Sequence, residues 1–292
     1  MTVTEAKRII RNYYRITTPS SEESFLYTEA LSFLIEETRD PKAMVELGGY
    51  YYGEREFDLA LKYYEMAAES GDLSAISSLG YIWYYGRTGE VDYEKAFSYF
   101  DKARKLGDIR AAYKIADMYK NGYFVEKDYE KYKAIVEELY PKVKNAQRPD
   151  APLPEIYTRL AKIRSGEGKT EEALALYDEA KDFLAQRIRF DPFFGDLNIM
   201  KWMIGDIYKL REFDEKNVWL YDLYYLLEKP VTVRFKFEED THEVEAVEEE
   251  GGLAIRFDGA WYRTVDDFFR KAGLDGEFLT LLYEELYDFE VI

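Results

Sequence analysis

Residues 75–108 read AISSLGYIWYYGRTGEVDYEKAFSYFDKARKLGD, and residues 111–132 read AAYKIADMYKNGYFVEKDYEKY. Offset by 36 residues, the landmarks of the two stretches coincide: Gly86 falls on Gly122, Asp92 on Asp128 and Tyr93 on Tyr129. Upstream, Ala43, Leu47-Gly48, Tyr51, Gly53, Ala60, Tyr63-Tyr64, Ala67-Ala68 and Gly71-Asp72 form a third copy. A recurring period of this length marks a repeat architecture. Within each copy, apolar residues at helical spacing run into a glycine-marked turn and a second helical run. Each unit is therefore a helix A, a turn and a helix B. Ala and Gly on the facing sides let the two helices approach, and an aromatic one turn away fills the gap. The Gly-Asp pairs at 71–72 and 107–108 close helix B with a left-handed residue and cap the next helix A. One such pair cannot bury its own apolar face, so neighbours must stack. The copies are not identical. Gly53 follows Tyr51 by two positions, where the other copies use three, and Tyr132 replaces the helix-B alanine of the third copy.

Further units flank these three. Ala30-Leu31, Phe33-Leu34 and Asp40-Pro41 read as a helix B, with Ser20 and Glu23 as a capping box at its start. Residues 5–16 supply its helix A. Residues 145–154 hold three prolines and read as a linker or kink. Beyond it, Tyr157, Leu160-Ala161, Gly168, Ala173-Leu174, Tyr177 and Ala180 form a tetratricopeptide-like pair. Ile204-Gly205, Tyr208 and Phe213-Asp214 start a last, degenerate unit whose second helix runs to about Leu227.

After Pro230 the period changes to two: Val231, Val233, Phe235 and Phe237 alternate with Thr232, Arg234 and Lys236. With a turn over residues 238–241, the expected register sets Phe235 opposite Val244 and Val233 opposite Ala246. It also sets Lys236 opposite Glu243 and Arg234 opposite Glu245. Leu253, Ile255 and Phe257 give a third strand, and Asp258-Gly259 a tight turn. Residues 265–272 and 276–287 read as helices. The expected fold is mainly α: an α-solenoid of stacked antiparallel helix pairs ending in a small α+β module with an antiparallel three-stranded sheet. The expected division is 1–144 (repeats), 145–154 (linker), 155–228 (tetratricopeptide-like repeats) and 229–292 (the acidic module).

The pattern Ala-x3-Leu-Gly-x2-aromatic-x2-Gly, then Asp-Tyr-x2-Ala-x2-Tyr-aromatic-x2-Ala and Gly-Asp, resembles the Sel1-like repeat family, a branch of the tetratricopeptide-like solenoids. The resemblance is sharp from Ala43 to Tyr132. It implies a curved solenoid with helices A on the concave side, binding a protein or peptide there. The helix-A residues outside the packing landmarks are then the candidate contacts: Tyr50, Tyr81, Tyr84, Tyr85, Asp117 and Lys120.

Composition narrows the chemistry. A net charge of −18 argues against a nucleic-acid groove or an anionic membrane surface, both of which need basic patches. The excess is uneven: residues 229–292 carry 7 basic and 17 acidic side chains. Glu248, Glu249 and Glu250 within that module are a candidate patch for a basic partner. With no cysteine, disulfides, thiolate metal sites and thiol catalysis are excluded. The single histidine, His242, has no nucleophile near it in sequence and reads as a surface residue. Gly168-Lys169-Thr170 lacks the upstream glycine of a phosphate loop and reads as a turn before a helix. No apolar signal core or membrane-length run is present, which sets a cytoplasmic expectation. No cofactor is expected. The leading reading is a non-enzymatic interaction scaffold. The alternative is an acidic inhibitor or immunity-type protein that neutralises a basic toxin or a nucleic-acid-binding protein.

Overall fold

The computed structural model describes residues 1–16, 19–144, 152–190 and 192–292. They form two compact units, Met1–Leu139 and Tyr140–Ile292.

The first unit is helical: α1 (Val3–Tyr13), α2 (Ser21–Thr38), α3 (Pro41–Gly53), α4 (Phe57–Glu69), α5 (Leu73–Tyr85), α6 (Tyr93–Lys105), α7 (Ile109–Asn121) and the start of α8 (Tyr129–Lys144). Each helix packs on the next, from α1 on α2 through to α6 on α7. The odd-numbered members are helices A. Local chemistry sets the helix starts. Ser20 accepts from the Glu23 amide, and the Glu23 carboxylate accepts from the Ser20 amide in return. Asp72 and Asp108 cap α5 and α7, each accepting a backbone N–H at 3.0 Å. Gly71 and Gly107, at φ +81° and +94°, turn the chain just before those caps.

Close approach within a pair depends on two glycines. A Cβ on Gly48 would lie 2.8 Å from the Tyr64 ring, and one on Gly80 would lie 2.5 Å from the Phe100 ring. Ordinary carbon–carbon contact needs about 3.5–4 Å, so only glycine fits beneath these rings. Tyr64 and Phe100, like Ala60, Ala67, Ala96 and Ala103, are buried.

The second unit begins with α9 (Leu153–Gly166), α10 (Thr170–Phe190) and α11 (Phe194–Leu210). Residues 145–151 of the expected linker lie outside the described residues, while Leu153 and Pro154 sit in the first turn of α9. At the start of α9 and α11, Glu155 and Asp196 converge on Arg187 of α10, at 2.9 and 2.6 Å. The expected second helix to Leu227 does not form. The Asp214 carboxylate accepts from the Lys216 amide and from Asn217 Nδ2, at 3.0 and 2.6 Å, and so fixes a turn. Only a 3₁₀ turn at Leu220–Asp222 and the single-turn α12 (Leu223–Leu226) follow.

The C-terminal sheet has five antiparallel strands rather than three: β1 (Val231–Phe237), β2 (Asp240–Glu249), β3 (Gly252–Phe257), β4 (Ala260–Tyr262) and β7 (Tyr287–Val291), in the order β4-β3-β2-β1-β7. A two-stranded ribbon, β5 (Gly273–Leu274) and β6 (Glu277–Phe278), precedes β7. Residues 276–287 are therefore not a helix. Asp275 and Gly276 both hold positive φ, the Asp-Gly hairpin chemistry also seen at Asp258-Gly259. The β1–β2 register differs from expectation by two residues: Val233 faces Val244, and Arg234 faces Glu243. A two-residue turn, with Glu238 at φ +52°, takes the place of the expected four-residue one. Because side chains alternate with period two, the shift leaves every residue on its expected face. Val233, Phe235, Val244, Ile255 and Phe257 are buried, and helix α13 (Val265–Lys271) brings the buried Phe268 and Phe269. Phe268 meets the Phe257 ring edge-on at 5.6 Å.

Candidate functional site

Helices α3, α5 and α7 carry the candidate contact residues on one class of helix. Their helical turns set the spacing. Tyr81, Tyr84 and Tyr85 occupy neighbouring positions on α5, while Asp117 lies one turn past Lys114 on α7. The structure gathers Tyr81, Tyr84, Tyr85 and Asp117 around Lys114, a residue that the sequence reading does not select. The Lys114 ammonium lies 4.7 Å from the ring centres of both Tyr84 and Tyr85, and 5.4 and 5.7 Å from those of Tyr81 and Tyr113. It donates to Tyr85 Oη at 2.5 Å and lies 3.7 Å from Asp117 Oδ2. Tyr81 and Tyr113 share a 2.6 Å hydroxyl hydrogen bond that ties α5 to α7.

Lys114 is only 4% exposed, and a buried ammonium needs compensation. The Asp117 carboxylate supplies the opposite charge, the Tyr85 oxygen accepts a hydrogen bond, and the surrounding rings add cation–π attraction. Tyr84 is the buried hub of this group, edge-on to Tyr85, Tyr93 and Tyr123. Its ring therefore fills space between repeats, whereas Tyr85 is 39% exposed and Tyr81 is half-buried. Beside them Arg87 donates to Tyr52 Oη at 3.1 Å and lies 4.7 Å from the Tyr85 ring centre.

The remaining candidates stand apart. Tyr50 joins a second ring cluster at α1–α3, edge-on to Tyr27, which stacks on Tyr13 at 4.0 Å. Glu46 of α3 belongs to that cluster. Burial holds its carboxyl above the usual carboxylate range, and a hydrogen bond from Tyr14 offsets only part of that. Lys120 sits beyond Lys114 on α7, 5.2 Å from the Tyr132 ring centre. Glu248, Glu249 and Glu250 are exposed at the β2–β3 hairpin in the second unit.

The signal that could have found Lys114 is its place in the repeat. It directly precedes the landmark Ile115, as Ser78 precedes Leu79 and Glu46 precedes Leu47. These three residues hold one equivalent position on successive helices A, and a lysine inside the apolar run AAYKIA belongs with the rings.

His242 Nδ1 lies 2.7 Å from Asp258 Oδ2, with the Phe235 and Phe257 rings at its side. Gly168, at φ +75°, forms the turn before α10. Among the described residues no group of three or more acidic, histidine or cysteine side chains could hold a metal ion. No helix among them is long and apolar enough to cross a membrane.

Comparison with a family model agrees with this geometry. Residues 41–72, 73–108 and 109–135 each match the model of the Sel1 repeat family. Among solved structures, a Sel1 repeat protein from Oxalobacter formigenes is similar, at 24% identity and a TM-score of 0.49, over 68% of this chain and 76% of that one. A thermophilic TPR protein of Thermus thermophilus is similar at 17% identity and a TM-score of 0.45, over 70% of this chain and 98% of that one. A protective antigen of uropathogenic Escherichia coli with an SLR fold matches at 17% identity and a TM-score of 0.30, over 65% of this chain and 54% of that one. No curated protein matches the chain by sequence.

Proposed function

We propose that this protein is a non-enzymatic interaction scaffold that binds a protein or peptide on the face of helices α3, α5 and α7. The observation that carries the reading is the ring cluster around Lys114. It presents tyrosine edges and hydroxyls from two adjacent helices A, and its inner members are locked by the Lys114 cage. Tyrosine gives large contact area at small entropic cost, and a surface already ordered by packing loses little more freedom on binding. Tyr81 and Tyr85 are the contact residues, with Asp117 beside them; Tyr50 on α3 and Lys120 on α7 are separate candidate contacts on the same class of helix. Tyr84 supports it from below. Affinity capture with the full chain tests this. The captured set should be lost in Tyr81→Ala/Tyr85→Ala while helicity is unchanged; capture of the same set by that variant refutes the surface.

A second reading rests on the exposure of Glu248, Glu249 and Glu250 at one hairpin: an inhibitor that neutralises a basic protein by charge. Its association rate with that partner should fall steeply with salt; a flat dependence rules it out. Under either reading the chain divides into repeats over 1–144, tetratricopeptide-like helices over 155–228 and the acidic module over 229–292. A cytoplasmic location fits the lack of cysteine.

A further inference from the structure

Helices B also carry a feature that repeat packing does not require. Gly122-Tyr123-Phe124-Val125 follows α7. Tyr123 turns inward and stacks on Tyr93 at 4.1 Å, and Val125 packs against the core. Phe124 points outward. It is 54% exposed and sits at φ +64°, in the left-handed region that side chains of its size rarely adopt. Its backbone conformation costs free energy, and residues held in that region cluster at binding and switch sites. The repeat itself does not ask for an aromatic here: the equivalent position one repeat earlier is Thr88.

Phe124 forms one wall of an open cleft of about 450 Å³ along the outer side of α6. Phe97 of α6 stands 5.5 Å from it, ring centre to ring centre. The charges of the cleft are ordered along the helix. Glu94 lies at one end, and Lys102 and Lys105 lie at the other. Asp101 is occupied by Arg104 and Lys105, at 2.8 and 2.6 Å, while Lys102 is exposed and in no ion pair among the described residues. In a chain of net charge −18, the last turn of α6 is a basic island of Lys102, Arg104 and Lys105.

From this we infer that the α6 cleft is a second docking site. Its occupant is a short extended segment of a partner protein, with one bulky apolar side chain at its centre, an acidic residue toward Lys102 and a basic residue toward Glu94. Length and charge both support this occupant. The stretch from Glu94 to Lys105 spans roughly 16 Å at the helical rise, which about five extended residues cover. The two aromatic rings offer apolar surface midway, and the ends of the cleft are complementary to opposite charges. The site lies on a helix B and is independent of the tyrosine face on helices A.

The test uses the full chain and end-capped pentapeptides with a fluorinated phenylalanine, followed by fluorine NMR line broadening. Lys-Ser-Phe-Ser-Glu should bind. Lys-Ser-Phe-Ser-Lys should bind at least about fivefold more weakly, as two like-charged ends no longer match the cleft. Phe124→Ala should weaken Lys-Ser-Phe-Ser-Glu by a similar factor without loss of helicity, because the ring is exposed. Lys102→Glu should invert the preference between the two peptides. Absent broadening with the wild-type chain, equal binding by Phe124→Ala, or an unchanged preference in Lys102→Glu would each overturn the proposal.

Discussion

Replacing Gly80 by alanine probes the packing rule on which the repeats rest. The new Cβ lies 2.5 Å from two atoms of the Phe100 ring, so the ring must retreat by about 1 Å to reach normal contact. Phe100 is fully buried, with Tyr81 edge-on at 5.2 Å and Tyr84 at 6.1 Å, and has nowhere to go. Overpacking of this kind costs about 1–3 kcal/mol. Alanine offsets up to about 1 kcal/mol of that through its helix propensity. The net expectation is a loss of about 0.5–2 kcal/mol in urea denaturation followed by ellipticity. The third repeat supplies a control. There the equivalents of Gly80 and Phe100 are Ala116 and Val136, both fully buried: a larger residue on helix A goes with a smaller one on helix B. Phe100→Val alone should therefore destabilise by about 2–3 kcal/mol, yet combined with Gly80→Ala it should recover at least about 1 kcal/mol of the summed losses. Gly205 in α11 has no atom within 4 Å of a built Cβ, so Gly205→Ala should stabilise by about 0.5–1 kcal/mol. If Gly80→Ala is neutral or stabilising, or if the double variant shows no coupling, the close-approach account is wrong.

Lys114→Ala should lower stability by about 2 kcal/mol in the same assay, through the loss of its cation–π contacts and the Tyr85 hydrogen bond; an unchanged midpoint would remove the cage from the account. Arg187→Ala takes away the cation that the Glu155 and Asp196 carboxylates share, so a loss of about 3–5 kcal/mol is expected from the thermal unfolding curve. Burial pushes the Tyr64 hydroxyl up to about 12, against 10.0 for the free side chain. The folded state thus holds the proton to higher pH than the unfolded state: stability is complete below pH 10.0 and falls as pH rises toward 12. An alkaline unfolding series should show that decline, and Tyr64→Phe should make it shallower by the share of one tyrosine, since burial also raises Tyr27, Tyr157, Tyr208, Tyr221 and Tyr224.

The helical part is legible in the sequence because its information is local and repeated. Gly48, Gly80, Asp72, Asp108 and the aromatics of helix B each act within one or two helices, so their spacing states the geometry directly. Sequence and structure part where an outcome depends on competition between local signals. Asp214 sits where an apolar pattern suggests a helix, but its carboxylate satisfies the next turn and ends helical propagation. Asp275-Gly276 is as strong a hairpin signal as Asp258-Gly259, yet the leucines and tyrosines after it imitate a helical period. Strand β7 cannot be read at all from its own residues. Its place beside β1 rests on long-range pairing, with Lys236 reaching Asp288 at 2.8 Å and Arg234 reaching Glu290 at 3.6 Å.

The binding surface is harder to read than the fold, for a related reason. Periodicity separates packed positions from open ones but does not say how a long polar side chain is used. It leaves Lys114 unmarked and offers Tyr84 as a contact residue; in the folded chain the lysine is buried and the tyrosine ring packs over it. Charge is a poor marker of exposure here. The buried cation is held by four tyrosine rings, by the Tyr85 hydroxyl and by the Asp117 carboxylate together. Under the proposed function, the tyrosines have two uses on one face: together they hold Lys114 and tie α5 to α7, and the exposed ones would offer a partner a surface fixed by that packing. Lys114→Ala removes the cation that holds Tyr81 and Tyr85 in place but leaves both rings in the chain, and should therefore weaken partner binding as well as stability, which a purely structural role for the cage would not require.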